Sequence, residues 1–360
     1  MARIHNFSAG PAVLPVPVLH QAREALLEYG DSGLGIMEMS HRGKVFEEVI
    51  ASARDRLRRL LQVADDQEIL FLQGGASSQF FMVAMNLLRG GTAAYLDTGR
   101  WSAKAIAEAE RFGTVDVPYS SKSSNYDHVP EPGAWGALPE GTVYLHYTSN
   151  NTVAGTQFHH VPDPGDAWLV CDASSDICSR PLDASKFDVL YAGAQKNLGP
   201  SGVTVVILRR SLLERCDPEL PTMLRYGVQV KNDSMYNTPN TWGIFVLDLV
   251  CAWIEDKGGL AGVERTNRAR AERLYQAIDG SERFRGLVTH DSRSLMNVTF
   301  TTGDPDLDTT FWQEAAQRGM SGLKGHRSVG GLRASLYNAQ TEAAVDTLIE
   351  FLHHFERQHG

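Results

Sequence analysis

The chain has 360 residues, a length typical of one large α/β unit or about two domains, and its composition is that of a soluble globular protein. Its net charge of −9 argues against non-specific nucleic-acid binding, which needs a basic surface. The N-terminus Met1–Asn6 lacks the apolar core of a signal peptide, and the longest apolar stretch, Phe80–Leu88, is too short to span a bilayer. We therefore expect a cytoplasmic protein that binds neither nucleic acid nor membrane.

Two helices are predicted at the start of the chain. Pro17–Tyr29 has a proline near its start, and Gly30 lies just past its end. Lys44–Leu61 is predicted as the second helix because its apolar residues recur at helical spacing. These residues are Val45, Val49, Ala53, Leu57 and Leu60.

Seven short apolar runs then alternate with helices or loops. The predicted strands are Glu68–Leu72, Ala93–Leu96, Thr114–Val117, Val143–His146, Trp168–Cys171, Val189–Tyr191 and Val203–Leu208. Such alternation is typical of a mostly parallel sheet with helices on both faces. Ser120–Tyr126 is predicted as an exposed polar loop.

The C-terminal part of the chain has a different pattern. A helix over Trp242–Asp256 ends at Gly258 and Gly259, which we interpret as a domain hinge. Beyond it the predicted order is helix, strand, helix, strand, helix, which is typical of a compact α+β unit. We therefore predict a large domain over residues 1–258 and a small domain over 259–360, with the N-terminal segment packing on the small domain.

A glycine-rich turn between the first predicted strand and the following helix is a candidate anion site. In Gly74–Ser78 the glycines allow close backbone approach, and the first N–H groups of a helix bind phosphate. The alternative is an ordinary turn with a serine cap. The spacing fits neither a P-loop nor a dinucleotide fingerprint.

Asp172 and Lys196 are candidates for cofactor chemistry. Asp172 directly follows a predicted strand, where a carboxylate can pair with the protonated nitrogen of a pyridine cofactor. Lys196 lies in a turn flanked by Gly193 and Gly199, a setting that suits covalent imine formation. Taken singly, each is more often a loop aspartate or a solvated lysine. Their joint position at strand ends favours the chemical interpretation.

Cationic side chains near both ends of the chain are candidates for substrate binding. They are His41, Arg42, His326, Arg327 and Arg333. Arginine binds carboxylate or phosphate through two parallel hydrogen bonds, which a substrate with two anionic ends would require. Surface solvation is the alternative for each of them alone.

Five segments together resemble one enzyme family over nearly the whole chain. They are Asn6–Pro11, Met39–Gly43, Tyr191–Pro200, Met235–Thr241 and Gly325–Arg333. With them the chain resembles the phosphoserine aminotransferases, a class-V aminotransferase family of fold-type I pyridoxal-phosphate enzymes. The resemblance implies an α/β fold with a large, mostly parallel seven-stranded sheet and a smaller C-terminal α+β domain. It also implies a homodimer with shared active sites.

The resemblance assigns a role to each candidate residue. Lys196 would bind pyridoxal 5'-phosphate as a Schiff base, Asp172 would pair with the ring nitrogen, Trp101 would stack on the ring, and Thr152 would bond near the ring hydroxyl. The cofactor phosphate would be held by Ala76, Ser77 and Gln195, and from the partner subunit by Asn237 and Thr238. The substrate-binding set would be Ser8, His41, Arg42, His326, Arg327 and Arg333. Some family members carry an arginine in the turn that here reads Ala76-Ser77.

The expected reaction is a ping-pong transamination from glutamate to 3-phosphohydroxypyruvate, and the family also acts on a pyridoxine-pathway substrate. Other interpretations are an alanine–glyoxylate aminotransferase, a non-enzymatic pyridoxal-phosphate binder, or a nucleotide-phosphate binder using Gly74–Ser78. A cysteine desulfurase is disfavoured, because no cysteine follows Cys251 that could serve as its mobile catalytic thiol.

Overall fold

A computed structural model describes residues 3–359 of the chain. Its central feature is a seven-stranded sheet in the order β2-β10-β9-β8-β5-β3-β4. The strands in chain order are β1 (His5–Asn6), β2 (Gln67–Gly74), β3 (Thr92–Asp97), β4 (Thr114–Ser120), β5 (Thr142–Thr148), β6 (Asn150–Asn151), β7 (Thr156–Gln157), β8 (Trp168–Asp172), β9 (Val189–Gly193), β10 (Gly202–Arg209), β11 (Arg285–Gly286), β12 (Asn297–Thr301), β13 (Met320–Ser321) and β14 (Leu332–Ser335).

The central sheet is parallel except at β10, which runs antiparallel to both of its neighbours, β2 and β9. All seven predicted strands are therefore present in one sheet, and the predicted mostly parallel architecture is confirmed. The observed strands extend beyond the apolar runs by one to three residues at one or both ends. Many of the extra residues are polar or glycine, among them Gln67, Asp97 and Gly202, whose backbone groups pair in the sheet.

Helices cover both faces of this sheet. They are α1 (Val16–Ala25), α2 (Lys44–Leu61), α3 (Ala76–Leu87), α4 (Arg100–Ala109), α5 (Tyr226–Lys231), α6 (Thr241–Asp256), α7 (Gly259–Asp279), α8 (Pro305–Gln317) and α9 (Glu342–His359). Successive residues of a strand point to opposite faces, and β2 shows this clearly. Ile69 packs in the core formed with α2 and α6, whereas Leu70 packs in the core formed with α3 and α4.

A second, three-stranded antiparallel sheet has the order β11-β12-β14. It forms a separate core with α7, α8 and α9, dominated by phenylalanines whose ring centroids lie 4.8–6.0 Å apart. The N-terminal strand β1 pairs with β13 in parallel. The division of the chain at residue 258 into two domains stays a prediction.

The first helix is shorter than its sequence pattern indicates. It ends at Ala25 rather than Tyr29, because the chain folds back and the backbone groups that would extend the helix bond to the following loop instead. The Ile36 N–H donates to the Ala25 carbonyl at 2.9 Å, and the Tyr29 N–H donates to the Leu34 carbonyl at 2.9 Å. The helix therefore cannot continue its own ladder past Ala25.

The second helix has the predicted bounds, but its buried face is rotated from the predicted one. Val45 is 37% exposed and Leu60 is only partly buried, whereas Phe46 and Leu61 are fully buried. The predicted loop Ser120–Tyr126 is likewise not wholly exposed, since Ser121 is buried and its N–H donates to the Asp97 carbonyl. Within residues 3–359 no helix is both long and apolar enough to cross a membrane.

Candidate active site

The predicted cofactor residues meet where the parallel strands end at their carboxyl edge. Asp172 is the last residue of β8, and Lys196 lies in the turn that joins β9 to β10. Both line a cavity of about 120 Å³ beside the start of α3. The predicted residues that line it are Ala76, Ser77, Trp101, Asp172, Gln195 and Lys196.

The side chain of Lys196 has close neighbours at its amine and along its stem. Its Nζ donates to Thr152 Oγ1 at 2.7 Å and lies 5.9 Å from the centroid of the Trp101 ring. Gly10 packs against its stem so closely that an added Cβ would lie 3.4 Å from Lys196 Cγ. Burial lowers the pKa of Lys196 to about 8, with Asp172 opposing the shift and Arg333 adding to it. A neutral amine is therefore accessible near physiological pH.

The carboxylate of Asp172 is buried and fixed by Ser174. Asp172 Oδ1 accepts from the backbone N–H of Ser174 at 3.0 Å and from its hydroxyl at 2.6 Å. The Ser174 hydroxyl in turn accepts from the Gly193 N–H at 3.1 Å, which ties β8 to the end of β9. Burial raises the pKa of Asp172, while the Ser174 bonds and the Lys196 charge oppose that shift. These bonds support an ionised carboxylate in a buried site.

The glycine-rich turn has the geometry of an anion cradle. Gly74 has φ +112°, a conformation that L side chains rarely adopt, and an added Cβ would lie 2.8 Å from Ser78 Oγ. The N-cap residue of α3 is Gly75, which has no side chain that could accept a hydrogen bond from the start of the helix. The first N–H groups of α3, which begins at Ala76, are therefore free to bind an anion. The serine-cap interpretation of this turn does not describe the observed geometry.

Arg333 approaches the same site from the second sheet. It lies in β14, and its Nη1 donates to the Thr152 carbonyl at 3.2 Å. The Thr152 hydroxyl thus contacts the lysine while the Thr152 carbonyl contacts the arginine. Burial lowers the pKa of Arg333, and its Nε has no hydrogen-bond partner among the described residues.

His326 lies in a cationic neighbourhood that extends beyond the predicted residues. Burial lowers the pKa of His326, and the nearby charges of Arg100, Arg333, Arg327 and Lys104 lower it further. Its Nδ1 is within 2.7 Å of Ser328 Oγ. The concentration of positive charge around this imidazole is suited to an anionic substrate group.

Nine predicted residues do not line the cavity of their own chain. Thr152 and Arg333 contact each other beside Lys196, and the other seven are Ser8, His41, Arg42, Asn237, Thr238, His326 and Arg327. Arg42 is exposed, and Asn237 lines a neighbouring cavity of about 140 Å³ that also contains Ser78. Within the chain, Thr238 is close to the turn, because its carbonyl accepts from Gln73 Nε2 at 2.6 Å.

Several cavity residues carry no strong sequence signal. They include Phe80, Thr148, Asn150, Ser174 and Ser175. Ser174 could have been found, since a serine two residues after an aspartate is typical of a local turn in which the carboxylate accepts both of its donors. Asn150 could not, because its amide donates to Ser175 and, at 2.8 Å, to Asn297 Oδ1, which is 147 residues away.

These residues fit a flat, phosphorylated cofactor. The buried Trp101 Nε1 and Gln195 Oε1 have no hydrogen-bond partners among residues 3–359, although both side chains line the cavity. Buried polar atoms without partners are costly, so their position favours a polar group that they bind. The free N–H groups of α3 provide the anion site, and the lysine and carboxylate provide the reactive and ring-directed groups.

Comparison with known proteins defines the class. The family model of the class-V aminotransferases matches residues 4–348, so the chain is a pyridoxal-phosphate-dependent aminotransferase of that class. It is 52% identical to the phosphoserine aminotransferase of Geobacillus kaustophilus and 48% identical to that of Desulfatibacillum aliphaticivorans, with 99% of each chain covered. The chain therefore belongs to the phosphoserine aminotransferase family, and the predicted family and cofactor are confirmed.

Solved structures agree with this assignment. The phosphoserine aminotransferase from Bacillus circulans subsp. alkalophilus has a TM-score of 0.97 at 49% identity, with 99% of both chains covered. The pyridoxal-phosphate-bound phosphoserine aminotransferase from Trichomonas vaginalis has a TM-score of 0.92 at 40% identity, covering 98% of this chain and 100% of that one. An alanine–glyoxylate aminotransferase from Nostoc sp. is 15% identical with a TM-score of 0.77, a similarity of fold alone.

Proposed function

We propose that the enzyme transfers the amino group of L-glutamate to 3-phosphohydroxypyruvate, giving O-phospho-L-serine and 2-oxoglutarate. The observation that carries the proposal is the cavity in which Lys196, Asp172 and the start of α3 meet. Support for the phosphorylated substrate comes from the relatives at 48–52% identity and from the cationic surroundings of His326. A further reaction on the pyridoxine-pathway substrate is consistent with the same groups.

Lys196 is proposed to move the proton of the substrate α-carbon. Pyridoxal phosphate supplies an electron sink that stabilises negative charge at that carbon when it is bound. An amine with a pKa of about 8 is a suitable base and acid near neutral pH, because it gains and loses a proton there readily. Thr152 orients the Lys196 Nζ through the 2.7 Å hydrogen bond.

The remaining cavity residues are proposed to hold the cofactor. Asp172 would stabilise a protonated ring nitrogen, and Trp101 would cover one face of the ring. The phosphate would bind the N–H groups of Ala76 and Ser77 and the Ser77 hydroxyl, with Gln195 beside it. Since no arginine lies in this turn, the helix N-terminus carries more of the phosphate binding than it would beside an arginine.

Arg333 is proposed to bind the substrate α-carboxylate, because it is the predicted substrate residue that contacts Thr152 beside Lys196. The distal anion, a carboxylate in glutamate and a phosphate in the keto acid, is proposed to bind Arg42 together with His41, His326 and Arg327, with Ser8 at the edge of the set. A cationic group of this kind accepts either anion.

A homodimer with shared sites is part of the proposal. Support comes from Arg42 and Asn237, which do not line the cavity of their own chain although the family pattern places them at the site. A second copy would bring such residues to the partner's cavity. The cytoplasm is proposed as the location of the enzyme.

The substrate assignment is tested by steady-state kinetics with phosphohydroxypyruvate and with unphosphorylated hydroxypyruvate. We expect a large preference for the phosphorylated compound, and equal efficiency would contradict the assignment. Lys196→Ala is expected to retain cofactor binding and lose turnover. The control is Lys186→Ala, which removes an exposed lysine outside the cavity and should leave turnover unchanged.

The shared site is tested by subunit mixing. Lys196→Ala and Arg42→Ala chains, each inactive alone, are unfolded together and refolded as a 1:1 mixture. Half of the dimers then contain one chain of each kind, and in a shared arrangement each such dimer has one intact site. About a quarter of wild-type activity is therefore expected. Recovery of no activity from a mixture that sediments as a dimer would contradict the sharing of Arg42.

A further inference from the structure

A second, larger cavity lies outside the proposed catalytic site. Its volume is about 520 Å³, and it has no lining residue in common with the cavity of Lys196. Its walls come from the end of α6, from α7, from residues 338–342 and from two stretches of the N-terminal segment, 3–6 and 13–17. The size is in the range of small-molecule binding sites, which are about 300–1,000 Å³.

Arg270 is a buried charge in the wall of this cavity. Its side chain is 1% exposed, and its guanidinium donates only to neutral acceptors, the carbonyls of Asn338 and Gln340 and the side chain of Asn267. Its Nε has no partner among the described residues. Burial lowers the pKa of Arg270 to about 10, and the charge of Glu342 opposes that shift. Buried charges in proteins are normally in direct contact with an opposite charge, whereas the hydrogen bonds of Arg270 to the described residues all go to neutral acceptors.

The other charged groups that line the cavity are mostly cationic. Arg3 and Lys257 line it together with Arg270, and the only carboxylate in the lining of the described cavity is that of Glu342. Glu342 Oε2 is already bonded to Arg273 Nη1 at 3.1 Å, outside the cavity lining. The cavity therefore has an excess of positive charge that is not neutralised by its own residues.

The rest of the wall is largely apolar. Val13, Leu14, Val16 and Val263 contribute aliphatic surface, and Trp253 contributes an aromatic ring with Lys257 Nζ 5.8 Å from its centroid. An apolar pocket with a few cationic groups in its lining is suited to a ligand with an apolar body and one anionic end.

We propose that this cavity binds a small amphipathic anion, a monocarboxylate with an aromatic or branched aliphatic body. The body packs against Trp253 and Leu14, and the carboxylate lies toward Lys257, with the buried charge of Arg270 behind the wall. Binding there places an anion near the charge of Arg270 and covers apolar surface that is otherwise in contact with water.

The position of the cavity predicts that such a ligand does not compete with glutamate. The stretch of chain between the two lining segments packs on the proposed catalytic site: the Ala12 N–H donates to the Gln195 carbonyl at 2.9 Å, and Tyr337 donates to the Ala9 carbonyl at 2.8 Å. The ligand therefore contacts both ends of the N-terminal segment, the catalytic site contacts its middle, and the two cavities have no lining residue in common.

The test uses 2-naphthoate and its neutral counterpart 2-naphthamide as probes of the purified holoenzyme, with binding measured by isothermal titration calorimetry. We expect the carboxylate to bind at least about tenfold more tightly than the amide, since only the carboxylate pairs with the cations. We also expect saturating glutamate to leave its affinity unchanged. Equal affinities of the two probes, or displacement of naphthoate by glutamate, would overturn the proposal.

Two variants locate the site. Thr266→Trp places a large ring in the cavity and should reduce naphthoate affinity at least about tenfold, while Lys257→Met should reduce it several-fold without a large change in shape. Lys324→Met is the matched control, because Lys324 also lies over a tryptophan ring, Trp312 at 5.1 Å, but outside the cavity. Unchanged affinity in Lys257→Met, or an equal loss in the control, would overturn the assignment. The cofactor absorbance spectrum checks that each variant is folded and loaded.

Discussion

Replacing Ser174 by alanine removes a hydroxyl that is bonded directly to Asp172. The variant loses the 2.6 Å hydrogen bond from the hydroxyl to Asp172 Oδ1 and keeps the 3.0 Å bond from the backbone N–H. It also leaves the Gly193 N–H without its acceptor. Hydrogen bonds to the ionised form of an acid lower its pKa, so the pKa of Asp172 should rise in Ser174→Ala.

The magnitude follows from the type of bond. A hydrogen bond to a charged group contributes about 1.5–3 kcal/mol, and one pKa unit corresponds to about 1.4 kcal/mol. Dividing the first energy by the second indicates that the loss of this bond raises the pKa of Asp172, which burial already raises, by roughly 1–2 more. The ionised carboxylate of Asp172 is the form that the mechanism requires. As the solution is acidified, Ser174→Ala should therefore lose activity at a higher pH than the wild type does.

The measurement is the pH dependence of kcat/KM, in which the acid limb should move upward by about 1–2 pH units. Ser179→Ala is the control, because that buried hydroxyl also donates one 2.6 Å hydrogen bond, but to the carbonyl of Asp176 rather than to Asp172. It should lower the free energy of unfolding without moving the limb. An acid limb that is the same in Ser174→Ala as in the wild type would refute the reasoning.

Two further predictions concern stability. In the protein without cofactor, Lys196→Met should be more stable than the wild type below pH 8 and should lose this advantage as the pH rises to 10.5. The reason is that the pKa of Lys196 in the folded protein lies below its ordinary value, so the unfolded chain binds the proton more tightly. Urea unfolding at a series of pH values measures the difference in unfolding free energy, and a pH-independent difference would contradict the prediction. Gly74→Ala should cost about 1–3 kcal/mol because of its positive φ and the contact with Ser78, whereas Gly75→Ala, with nothing within 4 Å of the added Cβ, should cost much less. Equal unfolding free energies for the two variants would contradict the second prediction.

The sheet was predictable from the sequence because its strands, apart from the edge strand β4, are largely buried and so form continuous apolar runs. The end of α1 was not, since it depends on the hydrogen bond from Ile36 to Ala25, a contact made by a loop with no regular pattern. The apolar spacing indicated the buried face of α2 only in part: Val49, Ala53 and Leu57 are buried, but Val45 is exposed. Its residues were assigned from spacing alone, and Phe46 rather than Val45 faces the core because α6 packs against that side.

The core of the candidate site was predictable for a similar reason. Asp172 and Lys196 follow strands that are easily recognised, and parallel strands end at one edge of a sheet, which brings such residues together. The contacts that orient these residues were harder to predict from the sequence. Thr152 and Arg333 meet only because β14 of the second sheet lies beside the turn that joins β6 to β7, and a separation of 181 residues has no local signature.

The order of strands in the central sheet has a consequence for synthesis of the chain. β2 is the first strand of that sheet to leave the ribosome, and it lies at the edge, where its neighbour is β10, the last of the seven. Its backbone groups therefore have no native partner until about 135 further residues have been translated, the span from Gly74 to Arg209. Through that interval the nascent enzyme has an unpaired, apolar strand next to the turn that will bind the cofactor phosphate, a state prone to aggregation that chaperones would shield.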